Sequence, residues 1–348
     1  MDRGRVYNRI VDVDEWKLIN PLNKEIMEDY KSELKQNQKS KGTIDQYYND
    51  WKIVNTYIYR KLDNKYILEL TKRDFRRFSL WITDELKVSN ARHNRLMSAL
   101  RSLLSYCEDD DEIEYEVNTA RKVKGLRKDP VKDIIFVSDE QVMKLKDELV
   151  RLEDYQKATL LMLVYDSAGR KNELFQCQKE CFYDSKRNFT NIVIGKRAKK
   201  FPLVYFEETK RLAKLYLEQR GEDDFKEMWI GGKGDKAKPI SVEAIYDWFI
   251  FMNDILEKLE GKKIGFNVHS FRHSALENYS TGTHYMCKLL GKEDGFLLED
   301  LQLIAHHESS AVTSGYLKDK KDERLQEMFG IKIIESEIIP DLNSEGQE

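Results

Sequence analysis

The chain has 348 residues, of which 41% are hydrophobic, 11% aromatic and 35% charged. That length and supply of core formers describe about two globular domains at roughly 150 residues each, and exclude a lone small module, a wholly disordered chain and a bundle of membrane spans. With 59 Lys and Arg against 62 Asp and Glu the formal charge is -3, so the sum neither requires nor forbids a nucleic-acid partner and the distribution of charge has to decide.

The four cysteines, Cys107, Cys177, Cys181 and Cys287, are scattered, which argues against a disulfide-dense secreted scaffold and for a reducing compartment. The opening MDRGRVYNRIVDVDEW lacks the apolar run of a secretory signal, and no window approaches the roughly 20 apolar residues that cross a bilayer. Residues 1–19 show no sustained period and read as a short extension. Residues 20–116 read as a helical domain. Thr43 followed by Gln46 has the spacing of a capping box, and Ile44, Tyr48, Trp51, Val54 and Ile58 then recur every three or four residues, so one stripe of that helix faces its neighbours. Thr71 and Asp74 repeat the cap before Phe75 and Phe78, and a further helix runs through Leu96, Leu100, Leu103 and Leu104. The expectation is a four-helix unit without strands, basic on its outer faces.

Seven acidic residues between Glu108 and Glu116 precede Arg121, Lys122, Lys124, Arg127 and Lys128, with Gly125 among them and Pro130 after them. Residues 117–135 therefore read as a linker: either a solvated connector, or one whose basic half follows a phosphate backbone while the acidic half packs on protein or repels misplaced DNA.

The second domain, 136–325, opens at Ser138, a capping box with Gln141, and continues through helices at 139–151 and 156–166. KECFYD, TNIVIG and KKFPLVY read as a three-stranded antiparallel meander ahead of a helix from Glu207. Val242, Ile245, Trp248, Phe249, Met252, Leu256 and Leu259 give the helix at 241–259 one broad apolar face, and short helices fill 270–320. The fold class is mainly α with a small antiparallel β-sheet, and residues 326–348 form a tail.

His269, His273, His284, His306 and His307 crowd one stretch, yet the residues between His269 and His273 are Ser-Phe-Arg, without the glutamate of a zinc-hydrolase helix. Cys177 and Cys181 lack a matching second pair, so no metal site is expected. GGKGDKAK at 231–238 lacks the order of a phosphate-binding P-loop and reads as a polar loop.

Another grouping carries chemistry: Arg170 in DSAGRKNEL, Lys196 in IVIGKRAKKFPL, His269 and Arg272 in HSFRH, His307 in IAHHESS and Tyr316 in VTSGYL. In order and context these segments resemble those of the tyrosine recombinase or phage integrase family, over roughly residues 20–320. The family's site joins two arginines, a β-hairpin lysine, two histidines and a tyrosine. Lys196, 26 residues after Arg170 and directly after the strand NIVI, fits the lysine better than Lys233 in the similar turn GKGDK. Two departures stand out: SAGR replaces the usual threonine-glycine-any-Arg order, and His306 occupies the glycine position before the histidine that lies nine residues ahead of Tyr316.

The resemblance implies a helical core-binding domain and a tyrosine-recombinase catalytic domain forming a clamp around DNA. It implies that Arg170 and Arg272 clamp the scissile phosphate, that Tyr316 is the nucleophile, and that His269 is the base or proton shuttle. Lys196 would protonate the leaving 5′ oxygen and His307 hold a non-bridging oxygen, supported by Glu173, His273 and His306. Lys41, Lys72, Arg73, Arg76, Arg77, Arg92 and Arg95, the linker residues Arg121, Lys122, Lys124, Arg127 and Lys128, and the hairpin's Lys199 and Lys200 are candidate DNA contacts. No cofactor, metal or ATP is implied. The implied partners are double-stranded DNA with a specific target site, copies of the chain assembling as a tetramer on two such sites, and accessory bending or directionality factors, with no membrane, in the cytoplasm of a prokaryotic or phage-infected cell. The tail after Tyr316, containing DERLQEMFGIKII, is expected either to dock in its own chain or to exchange between protomers. The same motifs would also suit a DNA-binding module that has lost its chemistry, or type IB topoisomerase-like relaxation without synapsis.

Overall fold

The computed structural model describes residues 6–127, 134–184, 186–232 and 234–306, together with Thr313 and Leu317. The chain divides into two compact units, Met1–Val131 and Lys132–Glu348.

The first unit contains helices α1 (Val6–Ile10), α2 (Val13–Leu18), α3 (Pro21–Gln36), α4 (Lys41–Lys61), α5 (Lys72–Leu80) and α6 (Asn90–Asp109). No strand occurs among its described residues. Trp51 on α4 is fully buried and its indole donates to Ala99 O on α6 at 2.9 Å; truncating such a side chain to alanine costs about 3–5 kcal/mol. It belongs to one buried core with Met27, Ile53, Ile58, Phe75, Phe78, Leu100 and Leu104.

Three expectations for this region change. Helix α4 begins a turn earlier than Thr43 suggests, because Ser40 Oγ accepts from Thr43 N; its first turn, Lys-Gly-Thr, is exposed and carries no apolar residue to betray it. Residues 6–18 form two short helices held down by the Arg60–Glu15 ion pair at 2.6 Å and by Asn64 Nδ2 donating to Leu18 O at 2.9 Å. They are too short for a hydrophobic period to register. The segment read as a linker is anchored to this unit as far as Leu126: Ala120 and Val123 are buried in its core, Arg101 Nη2 donates to Val123 O at 2.7 Å, and Asn94 Oδ1 accepts from Leu126 N at 2.8 Å.

The second unit runs α7 (Asp139–Arg151), α8 (Tyr155–Ser167), α9 (Lys171–Phe175), β1 (Phe189–Ile194), β2 (Lys200–Val204), α10 (Glu207–Arg220), β3 (Ile230–Gly231), β4 (Lys238–Pro239), α11 (Val242–Glu260), α12 (Val268–Ser280), α13 (Tyr285–Leu289) and α14 (Leu298–Ile304). Helix α8 is buried from Ala158 to Ser167 and packs against α7, α10 and α12. This burial on every side explains its near-continuous apolar sequence. The Ser138–Gln141 capping box is formed.

The expected meander has two strands, not three. Strands β1 and β2 pair antiparallel with Val193 opposite Phe201 and Ile194 opposite Lys200, whereas Lys179–Phe182 is a 3-10 turn. Its consecutive Cys181 and Phe182 are both buried, which an alternating strand could not achieve on one face. A second small antiparallel pair, β3 with β4, frames the GGKGDKAK loop. Among the described residues no helix is long and apolar enough to cross a membrane.

Candidate active site

Helix α8 ends at Ala168, which turns into the left-handed region at φ 48° and redirects the chain into α9. Arg170 stands immediately before α9, and Glu173 in its first turn closes back on it: Glu173 Oε2 accepts from Arg170 N at 2.8 Å and Oε1 from Arg170 Nη1 at 2.9 Å. Arg272 enters from the middle of α12 and is 1% exposed. Its Nη1 donates to Ala168 O, its Nη2 to Ala305 O at 2.8 Å, and Nη1 lies 3.9 Å from Glu173 Oε2. One buried carboxylate thus sits between two guanidinium groups contributed by segments about a hundred residues apart, an arrangement that offsets the desolvation of Arg272. The side chain of Arg170 is 28% exposed, so it is the member of the pair that reaches solvent.

The β1–β2 hairpin brings up the lysine. Gly195 has no room for a side chain: a Cβ there would lie 2.6 Å from Phe201 Cε1 and 3.1 Å from Glu173 Oε1. The backbone directly before Lys196 is therefore pressed against the carboxylate that holds the arginines. Lys196 itself is exposed and starts a tight turn in which Arg197 and Ala198 adopt φ 60° and 59°. Lys199 and Lys200 are exposed beside it, and Lys199 Nζ donates to His306 O at 3.5 Å.

The histidines separate by environment. Asn267 caps α12 by accepting from His269 N at 2.9 Å and Ser270 N at 3.2 Å, and His269 is the exposed residue of an otherwise buried first turn. Partial desolvation, followed by the charges of Arg272 and Arg170, holds its imidazole below the usual value, so the neutral ring is favoured. His273 is buried, with its ring edge-on to His269 at 4.9 Å and to Phe136 at 6.5 Å. His284 is fully buried between Tyr279 and Tyr165, and burial pushes it down to about 3; it is a core residue. His306 adopts φ 52°, the left-handed conformation that suits glycine. This explains how a position that is glycine in the resembled motif can be kept here by another residue, with strain. Its ring stacks on Phe201.

Arg170, Glu173, Arg272, His269, His306 and the Gly195–Lys196 turn therefore gather in one region. His307 and Tyr316 lie outside the described residues; of the described positions beyond them, Leu317 is partly buried against the core of this unit. Among the described residues no cluster of three His, Cys, Asp or Glu side chains could hold a metal, and all four cysteines are buried thiols.

In the first unit, Lys41, Arg73, Arg76, Arg77, Arg95, Lys122, Lys124 and Arg127 are exposed and Lys72 is half-buried. Arg92 instead donates from Nη2 to Asp50 Oδ1 at 2.5 Å, and Arg121 pairs with Glu108 at 2.6 Å. Lys128 lies outside the described residues. Sequence reasoning missed the buried Asp50 beneath Arg92, the ring of Phe201 under His306, and Gln176, whose amide grips the end of β1. None has a local signal, since each matters through a partner distant in sequence.

No family model matches the chain. It is similar to the SPbeta prophage-derived recombinase-like protein YomM of Bacillus subtilis (strain 168), with 24% identity over 299 residues, covering 82% of this chain and 85% of the relative. Among solved structures it is similar to a lambda integrase dimer bound to a COC' core site, at a TM-score of 0.62 and 14% identity over 90% of this chain and 98% of that one. It is similar also to the Tn1549 transposon integrase in complex with circular intermediate DNA, at 0.62 and 15% over 87% and 98%. The chain has the tyrosine-recombinase fold. The family its motifs resemble is the family whose fold it shares.

Proposed function

We propose that the chain cuts and rejoins duplex DNA strands through a covalent 3′-phosphotyrosine formed by Tyr316, as a site-specific recombinase. The observation that carries the reading is the Glu173 carboxylate, which ties Arg170 to Arg272 and lies against the Gly195–Lys196 turn. A phosphodiester gains charge on its non-bridging oxygens as a phenolate attacks, and two guanidinium forks held in advance meet that charge with little reorganisation.

In this mechanism the Tyr316 oxygen attacks phosphorus, passing its proton to the neutral imidazole of His269, and the bond from phosphorus to the 5′ oxygen breaks. Lys196 gives the leaving oxygen its proton, and His307 holds a non-bridging oxygen beside the arginines. The broken strand is conserved as an ester rather than hydrolysed, so attack by a 5′ hydroxyl from a partner strand completes exchange. The chemistry is balanced by this chain's own residues. Glu173, His273 and His306 support the groups that touch the phosphate.

The lambda integrase is a dimer bound to a core site and the Tn1549 integrase is in complex with circular intermediate DNA, which supports duplex DNA as the partner and assembly of several copies on it. The exposed arginines of α5 and α6 and the basic residues after Asn118 would then position phosphate rather than read bases. A nicked suicide duplex tests the reading. A protein–DNA adduct that survives denaturant and disappears in Tyr316→Phe is expected; tight binding without adduct would instead mark a DNA-binding module. Recombined product from two duplexes separates recombination from relaxation alone.

A further inference from the structure

We infer that Gln176 is a positioning residue for Lys196, its amide holding the lysine turn in register with the arginine pair; the inference rests on the strand-cleavage reading above. Gln176 follows the last residue of α9, the helix whose first turn supplies Glu173 and whose preceding residue is Arg170. From there its side chain reaches across to β1. Nε2 donates to Ile194 O at 2.9 Å, and Oε1 accepts from Ile194 N at 2.8 Å. One primary amide thus offers Ile194 the donor and acceptor that a third strand would offer. Nε2 also donates to Asn172 O at 2.7 Å, within α9 itself, which fixes the rotamer.

The grip continues on both sides. Asn191 on β1 donates to Gln176 O at 3.0 Å and accepts from Gln178 N at 2.9 Å. Two residues after Ile194 comes Lys196, in a turn whose Arg197 and Ala198 are both non-glycine residues at positive φ. Such a turn stores strain and keeps its shape only if its flanks are held. Lys199 closes one flank, its carbonyl accepting from Gly195 N at 2.8 Å; Gln176 holds the strand that leads into the other. The carboxylate that orients the arginines and the amide that orients the lysine strand therefore belong to one helical turn and its cap. The reacting groups keep a common frame even though the turn that carries Lys196 is exposed.

A side chain that acts only through the lysine's proton has a distinctive signature. When the 5′ bridging oxygen at the cleavage position is replaced by sulfur, the departing thiolate needs no proton, so defects in proton donation vanish while other defects remain. Single-turnover cleavage by the full chain is measured on both the oxygen and the sulfur duplex. Lys196→Ala should slow the oxygen substrate by about 10²- to 10⁴-fold and leave the sulfur substrate near wild type. Gln176→Ala should show the same discrimination with a loss of about 10- to 100-fold on oxygen. Gln176→Glu, which keeps the acceptor and loses the donor, should fall between wild type and Gln176→Ala, and it carries the test if the alanine variant folds poorly. Equal slowing of both substrates by the Gln176 variants, or no slowing of either, overturns the inference. Lys196→Ala slowing both equally removes proton donation from Lys196 and the role of Gln176 with it, whereas adduct formation by Tyr316 is read separately in the same gels.

Discussion

The His306 imidazole lies face to face on the Phe201 ring, with centroids 3.9 Å apart and planes within 20° of parallel. This contact joins the end of the α14 segment to the β2 strand of the lysine hairpin. Burial is the main force that pushes His306 down to about 4; Glu173 opposes that shift, and Lys199 and Arg272 add to it.

A pH prediction follows from the sign of that shift. The folded imidazole titrates near 4 and an unfolded one near 6.5. Between those values the unfolded chain binds more protons, so the contribution of His306 is complete above about 6.5 and is lost as pH falls toward 4, with a slope of at most about 1.4 kcal/mol per pH unit. Asp166, raised by burial to about 6, works in the opposite direction, because its folded form holds the extra proton. The test is therefore a difference: denaturant midpoints of wild type and His306→Gln across pH 4–7. Wild type should lose stability relative to the variant as the pH drops, and parallel curves would show that the imidazole is not held neutral.

Glu173 is the second point of leverage. Its side chain is 2% exposed and faces Arg170 at 2.9 Å and Arg272 at 3.9 Å. Glu173→Ala leaves a buried guanidinium without its counter-charge and should cost about 3–5 kcal/mol, read as a fall in the chemical denaturation midpoint of the second unit. Arg170→Lys keeps a charge beside Glu173 but loses the planar fork. It should fold normally, bind duplex with little change, and form adduct about 10²- to 10³-fold more slowly. Normal adduct formation by Arg170→Lys would remove the arginine from the phosphate clamp.

Much of this site was readable from residue order. Arg170, Lys196 and the His269–Arg272 pair stand in local contexts, a cap, a hairpin and a helix start, whose spacing survives any change in the rest of the chain. The reading of KECFYD as a strand failed because a run of β-prone residues does not distinguish alternation from burial on all sides, and Cys181 with Phe182 takes the second course. The short helices before Ile19 failed for want of length. The contacts that tie the site together, Arg272 to Ala168 and Ala305, Gln176 to Ile194 and His306 to Phe201, were hidden because three of the acceptors are backbone carbonyls, which every residue carries. The fourth partner is an aromatic ring among many.

The arginines of the first unit separate into two kinds, and salt dependence distinguishes them. Arg76 and Arg77 are exposed on α5; as phosphate contacts each would release about one counterion, so replacing either by alanine should reduce the slope of log K against log salt by about 1 without changing stability. Arg92 is held by Asp50, a fully buried carboxylate that also accepts from Gln46 Nε2 at 3.0 Å, while Arg95 stays 3.9 Å away. Arg92→Ala deprives that carboxylate of its close counter-charge and should lower stability by up to about 3–5 kcal/mol, less to the extent that water reaches the vacated space, while leaving the salt slope nearly unchanged. Binding titrations at several salt concentrations, paired with denaturation of the same variants, check both halves. An Arg92→Ala protein of wild-type stability with a reduced slope would place Arg92 on the DNA and not under it.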